Sequence, residues 1–209
     1  MRVFAPATFG WEATTVSDDT GARDPRARLG PKLGSGDEGY TDLLGPDRVP
    51  KYDLRVQSYG ELDEASSALG LARALAQQPR VKEIIRQVQH DLYLMMAEVA
   101  SPPAQVTKLP YRITAEQVAW LETTITALED EVEMPRQFIL PGASPGSAAL
   151  DVARTVVRRA ERSTVHLSST GAMPVGQVLR YLNRCSSLLF VLARYEEAVS
   201  GIPYDIAKR

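Results

Sequence analysis

From Asp53 onward, apolar residues return at spacings of three and four, and no stretch alternates apolar with polar residues for long enough to argue for a sheet. The pattern predicts five helices. The first runs from Leu54 to Gln77 and stops before Pro79. The second runs from Val81 to Ala100, carries Ile84, Ile85, Val88, Leu92, Met95, Met96 and Val99, and stops at Ser101-Pro102-Pro103. The third starts after Thr114, an N-cap candidate with Gln117 placed as in a capping box. It carries Val118, Leu121, Ile125 and Leu128 and ends before Pro135. The fourth, Ser147 to His166, follows the turn-rich Pro141-Gly142-Ala143-Ser144-Pro145-Gly146, and the fifth runs from Val175 to Val199 before Gly201-Ile202-Pro203. Long amphipathic helices joined by short connections make an all-α, five-helix antiparallel bundle.

Residues 1–31 lack this periodicity and read as an N-terminal extension, either flexible or an arm ordered against another subunit. Phe4, Phe9 and Trp11 are its candidate anchors. The bundle domain then occupies residues 32–209, with a loop over 32–52 and the helices over 53–200.

Composition narrows the classes. Of 209 residues, 44% are hydrophobic and 24% charged, which suits one folded domain and excludes a wholly disordered chain. With 24 Lys and Arg against 26 Asp and Glu, the charge of −2 gives no general pull toward nucleic acid or an anionic membrane. No apolar run approaches the roughly 20 residues of a membrane span, and the opening MRVFAPATFGW lacks a signal-peptide pattern, so the expected location is the cytoplasm. One cysteine and two histidines can form neither a disulfide framework nor a Cys/His zinc site within the chain. A metal, if used, is Mg²⁺ on oxygen ligands.

Chemistry concentrates on the fourth predicted helix. At about 100° per residue, Ala149, Val152, Ala153, Val156, Val157 and Ala160 gather on one side, and Arg154, Arg158, Glu161 and Arg162 share roughly 100° of arc on the other. Guanidinium groups on successive turns repel one another unless a negative group lies among them. Two readings stand: a solvated face whose arginines pair with acids of neighbouring helices, or a set of forked donors for phosphate.

The loop Gly34-Ser35-Gly36-Asp37-Glu38-Gly39-Tyr40-Thr41 contains a formal GxGxxG. No strand precedes it, and Pro46 and Pro50 stand where a dinucleotide-binding helix belongs, so that reading fails. A surface turn or an anion cup of backbone N–H groups, followed by Lys51, remains. In the first helix, Glu61, Asp63 and Glu64 lie beside the small residues Ala65, Ser66, Ser67, Ala68 and Gly70, a close-packing face whose acids call for partners on another helix or another chain. Asn183 is the only asparagine, and its place inside the fifth helix implies a hydrogen-bonding task. Cys185 reads as a small buried apolar residue, and His90 and His166 as structural.

Six segments together resemble the PduO-type ATP:cob(I)alamin adenosyltransferase family: Ser35 to Thr41, Arg48-Val49-Pro50-Lys51, Tyr59-Gly60-Glu61-Leu62-Asp63-Glu64, Phe138-Ile139-Leu140-Pro141-Gly142, Arg154 to Arg162, and Tyr181-Leu182-Asn183-Arg184. The resemblance implies a ferritin-like five-helix bundle that forms homotrimers with active sites between subunits. It implies transfer of the 5′-deoxyadenosyl group of ATP to the cobalt of reduced corrinoid, with release of triphosphate. By position, Ser35, Gly36, Asp37, Gly39, Thr41 and Lys51 are then expected around the phosphates of ATP and its Mg²⁺. Arg158, Glu161 and Asn183, with Arg159 and Arg162, are expected to hold phosphate and nucleoside. Asp63 and Arg154 form an ion pair between subunits in this scheme, and Phe138 lies under the corrin ring, where it excludes a lower axial ligand. A reductase and an adenosylcobalamin-dependent client enzyme are the further partners implied. Three positions depart from the family pattern, with Leu33, Gly34 and Glu38 standing where Thr, a basic residue and Lys are usual. They leave open an alternative, a catalytically weak corrinoid carrier of the same fold.

Overall fold

The computed structural model describes residues 34–207 apart from residues 46, 107, 111, 174 and 175. The expected extension over residues 1–31 lies outside the described residues. In chain order the elements are β1 (Tyr40–Asp42), β2 (Arg48–Pro50), α1 (Leu54–Leu75), α2 (Pro79–Ala100), α3 (Pro103–Val106), α4 (Ala115–Glu129), β3 (Ile139–Leu140), α5 (Pro145–Ser169), α6 (Gln177–Val199) and β4 (Asp205–Ile206). The five long helices coincide with the five expected from periodicity, and α3 is a single turn between Pro102 and Lys108.

Local chemistry sets their ends. Thr114 accepts from the Glu116 N–H while the Gln117 side chain accepts from the Thr114 N–H, the reciprocal cap foreseen for α4. Ser144 and Ser147 make the same exchange at α5, with Pro145 in the first turn, so this helix starts two residues earlier than its apolar pattern shows. The Gln78 side chain does not cap α2; instead the buried Glu196 carboxylate of α6 accepts from the N–H groups of Gln77 and Gln78. A carboxylate there satisfies orphan donors and faces the positive end of the helix dipole.

Packing runs α2 on α1, α1 on α5, α5 on α6 and α6 on α4, with α2 also touching α6. Leu62, Leu69, Ile85, Leu92, Met95, Leu121, Leu150 and Leu182 are among the side chains fully withdrawn from water at its centre. At the end of the α1–α5 contact, a Cβ on Gly146 would lie 3.1 Å from the Ala76 Cα and 3.3 Å from the Leu75 carbonyl oxygen. Only glycine lets α5 approach the end of α1 this closely. Val152, grouped with the apolar face by angle alone, is instead exposed, at the margin of the stripe.

Two antiparallel ribbons lie outside the bundle and outside the helical expectation. β1 pairs with β2 (Tyr40 opposite Pro50, Asp42 opposite Arg48), and β3 pairs with β4 (Ile139 opposite Ile206, Leu140 opposite Asp205). Strands of two or three residues are too short for alternation to register.

Candidate active site

The first ribbon builds the glycine loop. The Lys51 N–H donates to the Gly39 carbonyl at 2.8 Å, the Gly39 N–H to the Gly36 carbonyl at 3.1 Å, and Arg48 Nη2 to the Ser35 carbonyl at 2.8 Å. Lys51 reaches over Gly36, where a Cβ would stand 2.8 Å from Lys51 Nζ. Gly39 has φ of +79°, a left-handed turn that other residues rarely adopt. The far end of the ribbon is tied to the bundle by the Leu44 N–H, which donates to the Ala100 carbonyl at the end of α2. Ser35, Asp37, Glu38, Gly39 and Lys51 are exposed, while Gly36 and Thr41 are half-buried.

On the helical side, Arg158, Glu161, Arg162 and Val165 of α5 and Asn183 of α6 line one cavity of about 290 Å³. Its polar groups are fixed in a chain. Glu122 of α4 accepts from Arg184 Nε at 2.9 Å, Arg184 Nη1 donates to Asn183 Oδ1 at 2.7 Å, and Asn183 Nδ2 donates to Glu161 Oε1 at 3.2 Å. The lone asparagine therefore joins α5 to α6, with its amide turned so that its oxygen receives the arginine and its nitrogen holds the glutamate. Glu161 is committed to Asn183, and Arg158 and Arg162 make no ion pair among the described residues. Two uncompensated guanidinium groups beside a fixed amide form a preorganised site for an anion.

The other arginines are placed differently. Arg159 pairs with Glu64 of α1, so one acid of the Glu61-to-Glu64 segment has its partner on another helix. Arg154 donates Nε to Asp151 Oδ1 at 3.1 Å within its own helix. Asp63 is exposed and makes no ion pair with Arg154 inside the chain. Phe138 is 83% exposed at the head of β3, and its carbonyl accepts from the Ala207 N–H at 2.8 Å. Among the described residues no hydrogen bond or ion pair joins the glycine loop, the arginine cavity and Phe138, so one chain presents three separate surfaces.

Sequence reasoning gave no role to Glu122, Arg184, Asp151, Arg194 or residues 205–207. Arg184 adjoins Asn183 and was legible; the rest depend on which helices meet. Cys185 is fully buried, and desolvation raises its thiol far above the ordinary range, as expected of a packed apolar residue. His90 and His166 lie on the surface.

The sequence profile of the cobalamin adenosyltransferase family matches residues 32–196. The chain belongs to that family. The Bacillus subtilis corrinoid adenosyltransferase is 41% identical over 172 residues, covering 80% of this chain and 86% of that protein. The Mycobacterium tuberculosis H37Rv corrinoid adenosyltransferase is 40% identical over 167 residues, covering 77% and 84%. A phenylalanine-to-alanine variant of the Lactobacillus reuteri PduO-type ATP:corrinoid adenosyltransferase, complexed with cobalamin and ATP, superposes with a TM-score of 0.77 at 31% identity. That match covers 85% of this chain and 99% of that one. An arginine-to-lysine variant of the same enzyme, complexed with ATP, gives the same score at 30% identity. The fold expected of a cobalamin adenosyltransferase is thus the fold found.

Proposed function

We infer that this chain is a corrinoid adenosyltransferase that moves the 5′-deoxyadenosyl group of ATP to the cobalt of a reduced corrinoid. The observation that carries this reading is the convergence of Arg158, Glu161, Arg162 and Asn183 on one cavity in a chain of this family. In the reaction, cobalt(I) of the substrate attacks C5′ of ATP, the cobalt–carbon bond forms as the C5′–O bond breaks, and triphosphate leaves with both electrons of that bond. The nucleophile belongs to the substrate, so the protein needs no acid, base or thiol of its own.

Its residues position and neutralise. Arg158 and Arg162 receive the phosphates and offset the charge gathering on the departing triphosphate, while Glu161 and Asn183 orient the nucleoside and Arg159, its charge offset by Glu64, lies beside them. Ser35, Gly36, Asp37, Gly39, Thr41 and Lys51 wrap the phosphates from the other side. Mg²⁺ enters with ATP. Phe138 presents an apolar ring to the lower face of the corrin, and cobalt without a lower ligand is easier to reduce.

A cavity of about 290 Å³ is too small for a nucleotide and a corrinoid together, and the loop and Phe138 are separate from it in one chain. A homotrimer in the cytoplasm, with each site completed between subunits and Asp63 of one facing Arg154 of the next, joins these surfaces. Among the described residues no helix is long and apolar enough to cross a membrane. Electrons for the corrinoid come from a separate reductase, and the product passes to an adenosylcobalamin-dependent client.

The deciding experiment mixes purified protein, MgATP and cob(I)alamin without oxygen and follows adenosylcobalamin by absorbance and triphosphate by chromatography. Formation of both in equal amounts establishes the transferase. Binding of cob(II)alamin with a four-coordinate spectrum but no turnover replaces it with the carrier reading, and absence of any corrinoid binding overturns both.

A further inference from the structure

Behind the arginine face the molecule buries charges that the proposed chemistry leaves unused. Asp151 is buried within α5, and its Oδ2 accepts from Arg194 Nη2 of α6 at 3.0 Å while its Oδ1 accepts from Arg154 Nε at 3.1 Å. The Arg194 side chain is 1% exposed. It also donates through Nη2 to Glu197 Oε1 at 2.9 Å, and its Nε lies 2.8 Å from Glu197 Oε2. Its guanidinium carbon stands 5.3 Å from the centre of the Phe190 ring. Phe190 in turn lines a cleft of about 260 Å³ together with Arg154, Arg158 and Glu129.

Two acids and two arginines cancel in charge, yet a set like this is expensive to desolvate, and apolar side chains of similar volume generally stabilise a fold at least as well. Stability therefore does not explain it. Geometry does: three members are sealed in the core, and the fourth, Arg154, is 27% exposed at the cleft. Arg154 is gripped by Nε alone, which leaves both terminal amino groups without a partner among the described residues. A long side chain that loses freedom when it is bound contributes more when its rotamer is fixed beforehand.

We propose that Asp151 is a positioning residue: clamped from the core by Arg194 and Glu197, it grips Arg154 by Nε and presents the arginine's terminal amino groups, beside Arg158, to a carboxylate of an adjoining subunit. The proposal rests on the reading that Arg154 works between subunits next to the nucleotide.

A double-substitution cycle on the full chain tests it, with kcat/KM for MgATP measured for wild type, Asp151→Asn, Arg154→Ala and the pair, alongside sedimentation of each. The expected result is a loss of about tenfold for Asp151→Asn, a larger loss for Arg154→Ala, and a pair no worse than Arg154→Ala within twofold, with the same lack of additivity in subunit assembly. Losses that multiply, or an Asp151→Asn protein as active as wild type, overturn the positioning role and leave the transferase reading intact. An Arg154→Ala protein of wild-type activity instead removes the intersubunit role of Arg154 on which the proposal stands. If Asp151→Asn fails to fold, the charge-neutral pair Arg194→Met with Glu197→Met removes the clamp, and the same cycle against Arg154→Ala applies with the same criterion.

Discussion

At the scale of single residues, the contrast between committed and uncommitted charges decides what each arginine does. Arg159 and Arg184 are held by Glu64 and Glu122, while Arg158 is exposed and unpaired at the cavity. Arg158→Ala removes the proposed phosphate donor without touching the core, so kcat for adenosyl transfer should fall about a hundredfold or more while the thermal midpoint stays unchanged. Rates from the anaerobic assay and a melting curve check both halves. Phe138→Ala should leave ATP binding intact and slow the reaction starting from cob(II)alamin far more than that from chemically prepared cob(I)alamin; equal slowing refutes an axial-ligand role. The arginine face and Asn183 were legible in the sequence because unlike residues stood out on a periodic background. Asp151 and Arg194 were not, since each needs the other helix to explain it, and an arginine in the apolar run of α6 gives no hint of which carboxylate it meets.

At the scale of elements, all five long helices were legible, because 3.6-residue periodicity accumulates over about four to seven turns and proline or a cap marks the ends. The ribbons were not, since two residues of strand carry no pattern; yet they hold the loop and Phe138. Just past β4, the Ala207 N–H donates to the Phe138 carbonyl. Ala207→Pro deletes that donor and fixes the backbone beside Ile206, so it should lower corrinoid affinity by several-fold with little change in ATP affinity, measured by titrating each separately. A net loss of roughly 1 kcal/mol is the scale of one such bond. An equal fall in both affinities would instead mean that the change spreads into the bundle.

For the whole molecule, the core contains a polar knot between α2 and α6. Tyr181 donates to Asp91 Oδ2 at 2.7 Å, and Gln87 donates to Oδ1 at 3.1 Å. Burial pushes the Asp91 carboxyl above its ordinary value, the two hydrogen bonds and nearby His90 opposing it. The folded chain therefore binds this proton more tightly than the unfolded chain. Stability from Asp91 is greatest below the ordinary carboxyl range and declines as pH rises through the raised value. Compared by denaturant titration, Asp91→Asn should gain on wild type as pH rises from 4 to 8, and a constant difference refutes the shift. Cys185, buried nearby with its thiol held neutral by desolvation, should react with a thiol reagent only as fast as the chain unfolds. The bundle as a unit was legible; the proposed meeting of one subunit's loop with another's arginines rests on the family resemblance, because a single chain leaves those surfaces apart. The carboxylate of Glu196 has a different consequence, in time. It caps a turn that lies 118 residues earlier in the chain, so the hairpin of α1 and α2, synthesised first, lacks its final two hydrogen bonds until α6 emerges from the ribosome. Helix α6 thus finishes the turn between α1 and α2, and a chain cut short before it leaves that turn open.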